Sequence, residues 1–229
     1  ASSTLTLSLT DVNESPTDIA LSGGSAAENS AGASFGTLST TDPDASDSFT
    51  YSVTGGTDSA SFEIGSSNTL KFKSTVSGNF ETKSSYSVII TSTDAGSNTY
   101  AETLTVSITN VNEAPSFTTS TTSAQAENST AVLTFSASDP ESGSLTYSIG
   151  GASEDGAKFS ITSAGVLTFN RAPDYEIPSD ANENNVYIVS IIVSDGTYST
   201  TLIHHVYITD VEEASGLETP DNVQTVETK

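Results

Sequence analysis

The 229-residue chain has no cysteine, no methionine and no tryptophan, and only 6 Lys and Arg against 29 Asp and Glu. Without cysteine, no disulfide supports the fold and no thiol chemistry is available. Small extracellular domains that lack disulfides can use metal as their staple. The formal charge of −23 argues against nucleic acid and an anionic membrane surface as partners, and suits a surface that collects cations. No apolar run reaches the roughly 18 residues of a membrane span. No signal peptide opens the chain and no methionine starts it, so a fragment of a longer protein is expected. There is no Gly-x-Ser-x-Gly elbow and no phosphate-binding glycine loop, so an enzyme is not expected.

What is present is strand grammar. Apolar runs are short, alternating and rich in Thr, Ser, Val, Ile, Phe and Tyr, with no helical period of any length. Strands are predicted at 34–41, 49–53, 62–64, 70–73, 86–93 and 100–109. They return at 132–137, 145–149, 158–161, 166–170, 187–194 and 201–209. An opening strand precedes each set, over 18–27 and 117–126. Seven short strands per hundred residues imply an all-β chain of two tandem Greek-key β-sandwiches, each with a modest core.

The boundaries are marked by a repeated hinge. Asp11-Val12-Asn13-Glu14 returns as Asn110-Val111-Asn112-Glu113 and again as Asp210-Val211-Glu212-Glu213, at steps of 99 and 100 residues. This divides the chain into a leading segment 1–14, a first repeat 15–111, a second repeat 112–214 and a polar, flexible tail 215–229. In the leading segment Leu5, Leu7 and Leu9 alternate like Leu104, Val106 and Ile108, so 3–10 reads as the last strand of a preceding, truncated repeat.

The acidic residues recur in register. Glu28-Asn29 returns as Glu127-Asn128, and Asp42-Pro43-Asp44 as Asp139-Pro140-Glu141. Asn79-Phe80-Glu81 returns as Asp174-Tyr175-Glu176, and Asp94 as Asp195. A single acidic pair is an ordinary solvated surface feature. With the hinge, five acidic stations in order, twice, are not.

On these residues the chain resembles tandem cadherin repeats, of the bacterial cadherin-like kind found in large surface adhesins, over about residues 15–214. The resemblance implies an extracellular, cell-surface location and Ca²⁺ ions held where consecutive repeats meet. It implies that Glu28 and Glu81, Asn112 and Glu113, the carbonyls of Val111 and Ala114, and Asp139, Glu141 and Asp195 serve the central junction. Asn13, Asp42, Asp44, Asp94 and the Ser15 carbonyl would form a half-site at the start. Glu127, Asp174, Glu176 and Glu213 would form the complementary half-site at the end. The chemistry is sensible, because Ca²⁺ takes about six to eight hard oxygens from carboxylates and carbonyls. Asn79 in place of Asp, and Glu113 and Glu141 where Asp is usual, imply weaker or fewer sites. Glu212 and Ser215 make the last linker atypical.

Other motifs carry less. Residues 42–47 lack the glycine and terminal glutamate of an EF-hand loop. His204 and His205 have no partners for a zinc site, and the offset places His204 on the inward face of the last strand. The sequons at Asn13 and Asn128 are discounted as glycosylation sites. Two functions remain. One is a Ca²⁺-stiffened spacer whose partners are neighbouring repeats of the same chain. The other is a recognition module that binds homophilically or to polysaccharide. Strand-swapping cadherins insert a Trp, which this chain lacks. Tyr51, Tyr86, Tyr100, Tyr175, Tyr187, Tyr198 and Tyr207 are the aromatic candidates for a sugar.

Overall fold

A computed structural model describes residues 3–45, 47–151 and 153–213. The chain divides into two compact units between Val111 and Asn112. Among the described residues no helix is long and apolar enough to cross a membrane.

Unit 1 contains strands β1 (Asp18–Leu21), β2 (Ser25–Ala27), β3 (Ser34–Thr41), β4 (Thr50–Gly55), β5 (Phe62–Ile64), β6 (Thr69–Phe72), β7 (Ser85–Thr93) and β8 (Thr99–Thr109). They form two sheets, in the orders β1-β3-β6-β5 and β2-β8-β7-β4. The opening strand expected over 18–27 is broken, because its halves join different sheets. β1 runs antiparallel to β3, and β2 runs parallel to β8. Gly23 and Gly24 make the crossing: a Cβ on Gly23 would stand 2.5 Å from the Phe35 carbonyl oxygen, and Gly24 has φ +114°.

Alternation then fills the space between the sheets. Val88, Ile90 and Ser92 of β7 and Val106 and Ile108 of β8 point inward onto Phe35, Phe62, Leu70 and Phe72. Phe35 meets Phe72 edge-on at 4.8 Å, a contact worth about 0.5–1.5 kcal/mol beyond its buried area.

Unit 2 contains β9 (Ser116–Phe117), β10 (Thr122–Ala126), β11 (Ala131–Thr134), β12 (Ala137–Ser138), β13 (Thr146–Ile149), β14 (Phe159–Ile161), β15 (Val166–Phe169), β16 (Val186–Ser194) and β17 (Ser199–Thr209). The sheet β10-β17-β16-β13 faces β11-β15-β14, and β9 pairs with β12. Here too the opening strand is split. The run expected over 132–137 is interrupted as well, with Thr118 and Thr119 bonding to Ser136 across the gap. The core gathers Phe135, Phe159, Leu167, Phe169, Tyr187, Val189, Ile191 and Val206.

The strand expected over 3–10 is not formed. Leu5, Leu7 and Leu9 are 91%, 82% and 91% exposed, and the segment has no strand beside it. Alternation supplies an apolar face but not the hydrogen-bonding neighbour that a strand needs. The tail 215–229 lies outside the described residues.

Candidate metal centres

Both units use their first acidic station in the same way. Glu28 and Glu127 are each 3% exposed and sit at the end of the split opening strand. Asn29 and Asn128 follow in the left-handed region, at φ 59° and 58°, which asparagine tolerates and which turns the chain away. Glu28 accepts from the backbone N–H of Phe80 at 2.7 Å and of Val111 at 2.8 Å. Glu127 accepts from Tyr175 and Val211 at the same distances. These donors, Phe80 and Tyr175 foremost, hold both carboxyls below the ordinary Glu range although burial works the other way. Oxygens of Glu81 approach Glu28, and oxygens of Asp174 and Glu176 approach Glu127, within 4.8 Å. A hydrogen bond to its own backbone N–H lowers Glu176, but burial and the charges of Glu127, Glu213 and Asp210 outweigh it and raise the carboxyl. Glu213 accepts from the Asn128 amide at 3.2 Å.

The hinge residues bind the unit that follows them. In unit 1 the Asn13 amide donates to Asp94 at 2.8 Å, and the Glu14 N–H donates to Asp44 at 2.7 Å. In unit 2 Asn112 donates to Asp195 at 2.7 Å, and the Glu113 N–H to Glu141 at 3.2 Å. Asp42 and Asp139, after β3 and β12, accept the N–H two residues on. Gly96 leaves room for this grip, since a Cβ there would lie 2.5 Å from the Asn13 amide nitrogen and push that side chain aside. Burial pushes Asp94 up, but donors from Asn13, Asn98 and Gly96 bring it below the usual range. Asp195 is lowered first by Asn112 and then by the Thr197 N–H. Pro16 and Pro115 are buried just past the hinge, while Ser15, Val111 and Ala114 are exposed.

Unit 1 brings its predicted ligands together differently from expectation. Oxygens of Asp42, Asp47 and Asp94 converge within 4.8 Å, and those of Asp11, Glu14 and Asp44 form a second group. A hollow of about 320 Å³ is lined by Asp11, Asn13, Asp44, Ala45 and Asp47. The charge of Asp44, then burial, raises the Glu14 carboxyl. Among the described residues Asp42 Oδ2 and Asp47 Oδ2 are buried and accept no hydrogen bond, and so are Asp139 Oδ2 and Glu141 Oε1 in unit 2. A buried carboxylate oxygen without a donor is costly, and a cation among clustered ones would relieve that cost. Only hard oxygens line these groups, which fits Ca²⁺ rather than a thiophilic or imidazole-seeking metal.

Sequence reasoning missed Asp11, Glu14 and Asp47. The hinge repeat contained the signal for Asp11 and Glu14. Asp47 has no such signal, because Ser144 takes its place in unit 2. Two further acids are structural: buried Asp155 accepts from the N–H groups of Ile188 and Ala181, and half-buried Asp58 from that of Ser87. Both precede a short 3₁₀ turn in Asp-x-Ala-x-Phe, a repeat legible in the chain. His204 is fully buried; its ring bonds Ser123 Oγ at 2.9 Å and the Ser120 carbonyl at 3.0 Å.

No protein-family model matches the chain, and no curated protein matches it. Solved structures do. The human protocadherin-24 EC1-2 structure, form II, aligns with TM-score 0.63 and 20% identity over 87% of this chain and 100% of that one. Protocadherin gammaB7 EC3-6 aligns with TM-score 0.54 and 24% identity over 86% of this chain and 51% of that one. The human desmocollin-1 ectodomain aligns with TM-score 0.51 and 20% identity over 87% and 42%. This chain thus spans about half the length of two of these three. The fold is a cadherin-like β-sandwich, the fold of cadherin extracellular domains.

Proposed function

We propose that this chain is a Ca²⁺-binding pair of extracellular repeats, a spacer of a bacterial surface adhesin, in which Ca²⁺ ties each repeat to the next and stiffens the array. The observation that carries this reading is the Asp42–Asp47–Asp94 group, with two buried carboxylate oxygens that meet no donor. Glu28, Glu81, Glu113, Asp139, Glu141 and Asp195 are the carboxylates assigned to the central junction. Six negative charges there would be neutralised by three Ca²⁺, and without metal each close pair would repel by roughly 1–4 kcal/mol. Adhesion and the bacterial setting rest on the resemblance of the repeated stations to cadherin-like adhesin repeats.

The rival reading, a recognition module, is favoured by Tyr175, Tyr198 and Tyr207, which are 38%, 48% and 45% exposed in unit 2. Small-angle scattering and melting in EGTA and in millimolar Ca²⁺ separate the two. The spacer reading expects a longer, narrower particle and a higher Tm with Ca²⁺. Unchanged dimensions and Tm would refute it.

A further inference from the structure

We propose that unit 2 carries a groove for a single uronic-acid residue, a sugar ring bearing one carboxylate, which shares Asp174 with the acidic group of Glu127 and Glu176. Two adjoining hollows of about 190 and 180 Å³ share Arg171 and Ser179. Lys158, ending the 3₁₀ turn before β14, and Asn170, just after β15, line the first, and Asp174 and Ile177 line the second. Lys158 and Arg171 are the only cations of unit 2 among the described residues, against fourteen carboxylates between 112 and 213. Even so, among the described residues neither forms an ion pair; in unit 1 Lys71 and Lys83 pair with Glu63 and Asp58, and Lys73, which stands where Asn170 stands in unit 2, does not. Two unneutralised cations in so acidic a unit, converging on one groove, are placed to receive an external anion.

The walls are fixed before any ligand arrives. The Asn170 amide donates to the carbonyls of Ala157 and Phe159, at 3.0 and 3.2 Å. Ser179 Oγ lies 3.0 Å from the buried Tyr187 hydroxyl. The second hollow offers what a bare anion could not use. Asp174 accepts the Ile177 N–H on Oδ1 at 2.8 Å and keeps Oδ2 for a ligand hydroxyl, and Ile177, 72% exposed, presents an apolar surface to ring C–H groups. A neutral sugar leaves the cations idle, and a simple anion leaves Asp174 repelling it. A ring with one carboxylate and several hydroxyls uses both halves. Unit 1 is an internal control, because Ser61 and Ser74 stand where Lys158 and Arg171 stand in unit 2 when Phe62 is matched to Phe159 and Phe72 to Phe169.

The test is amide chemical-shift mapping of the whole chain in EGTA, which removes Ca²⁺ bridging to Asp174. Glucuronate, glucose and acetate are titrated separately at near-physiological ionic strength. Glucuronate should shift resonances of Lys158, Asn170, Arg171 and Ser179 and leave Ser61 and Ser74 unmoved. R171Q and K158Q, both at exposed positions, should each weaken binding about tenfold or more. Glucose shifting the same resonances equally, acetate matching glucuronate, or undiminished binding in R171Q would overturn the proposal. Tri-galacturonate binding more tightly than the monosaccharide identifies an acidic polysaccharide as the source, and equal affinity identifies the free sugar.

Discussion

Replacing Asp47 by Asn should stabilise unit 1 without Ca²⁺ and weaken its response to Ca²⁺. The substitution is nearly isosteric and keeps the oxygen that accepts the Ser48 N–H at 2.7 Å. What it removes is one charge from the group in which Asp42 and Asp47 oxygens lie within 4.8 Å. Coulomb's law at that separation gives roughly 1–3 kcal/mol between water-like and near-surface dielectric. Salt trims this toward the lower end, so the apo Tm of unit 1 should rise by about 4–8 °C. With Ca²⁺ the sign reverses. Losing one anionic ligand costs the ion an attraction, and each tenfold loss of affinity removes about 1.4 kcal/mol of ligand stabilisation at saturating metal. Calorimetry of the wild type and D47N in EGTA and in millimolar Ca²⁺ reads both effects. D18N, at an exposed position outside the acidic groups, controls for net charge. A lower apo Tm for D47N, or an undiminished Ca²⁺ increment, would refute the reasoning.

Burial, offset in part by the Ser120 carbonyl, pushes His204 below the ordinary His range. The folded state therefore binds fewer protons than the unfolded one. Stability from this group is full above about pH 6.5 and is lost as pH falls through the depressed folded value. Denaturant titrations of H204L, which installs the residue of the matching Leu104, should lose that pH dependence; an unchanged profile would contradict it. Glu28 and Glu127 are held low by backbone donors, so their contribution is present above the ordinary Glu range and lost as pH falls through their folded values. In EGTA, a Tm-against-pH curve of the E28Q/E127Q double variant should show a shallower acid limb than the wild type; a steeper limb would contradict this assignment.

The strands and most of their bounds were legible because alternation is a direct imprint of a sheet with one buried face. The splits in the opening strands were not. Whether a strand crosses between sheets depends on which neighbour its backbone can reach, and only Gly23-Gly24 hinted at it. The same limit explains 3–10, whose leucines alternate correctly without a partner. The acidic stations were legible because they repeat, and repetition is also why Asp47 was overlooked. Groups such as Asp155 and His204 depend on contacts far along the chain, to Ile188 and Ser123, that spacing alone does not reveal.

The hydrogen bonds of the hinge bear on how strongly metal can bind. Flexible ligands must be ordered by the ion, and that entropy is subtracted from affinity. Here much of it is already spent. Asn13 and Glu14 are held by Asp94 and Asp44, and Asn112 and Glu113 by Asp195 and Glu141. Val111 and Val211 are held from the other side by Glu28 and Glu127. The acids that grip the backbone are therefore the same ones assigned as ligands. These carboxylates are fixed by donors on one or both oxygens, as Glu28 is by the N–H groups of Phe80 and Val111, and a cation would relieve the repulsion between them. On this account Ca²⁺ should change the pitch and stiffness of the hinge far more than the strand content of either unit.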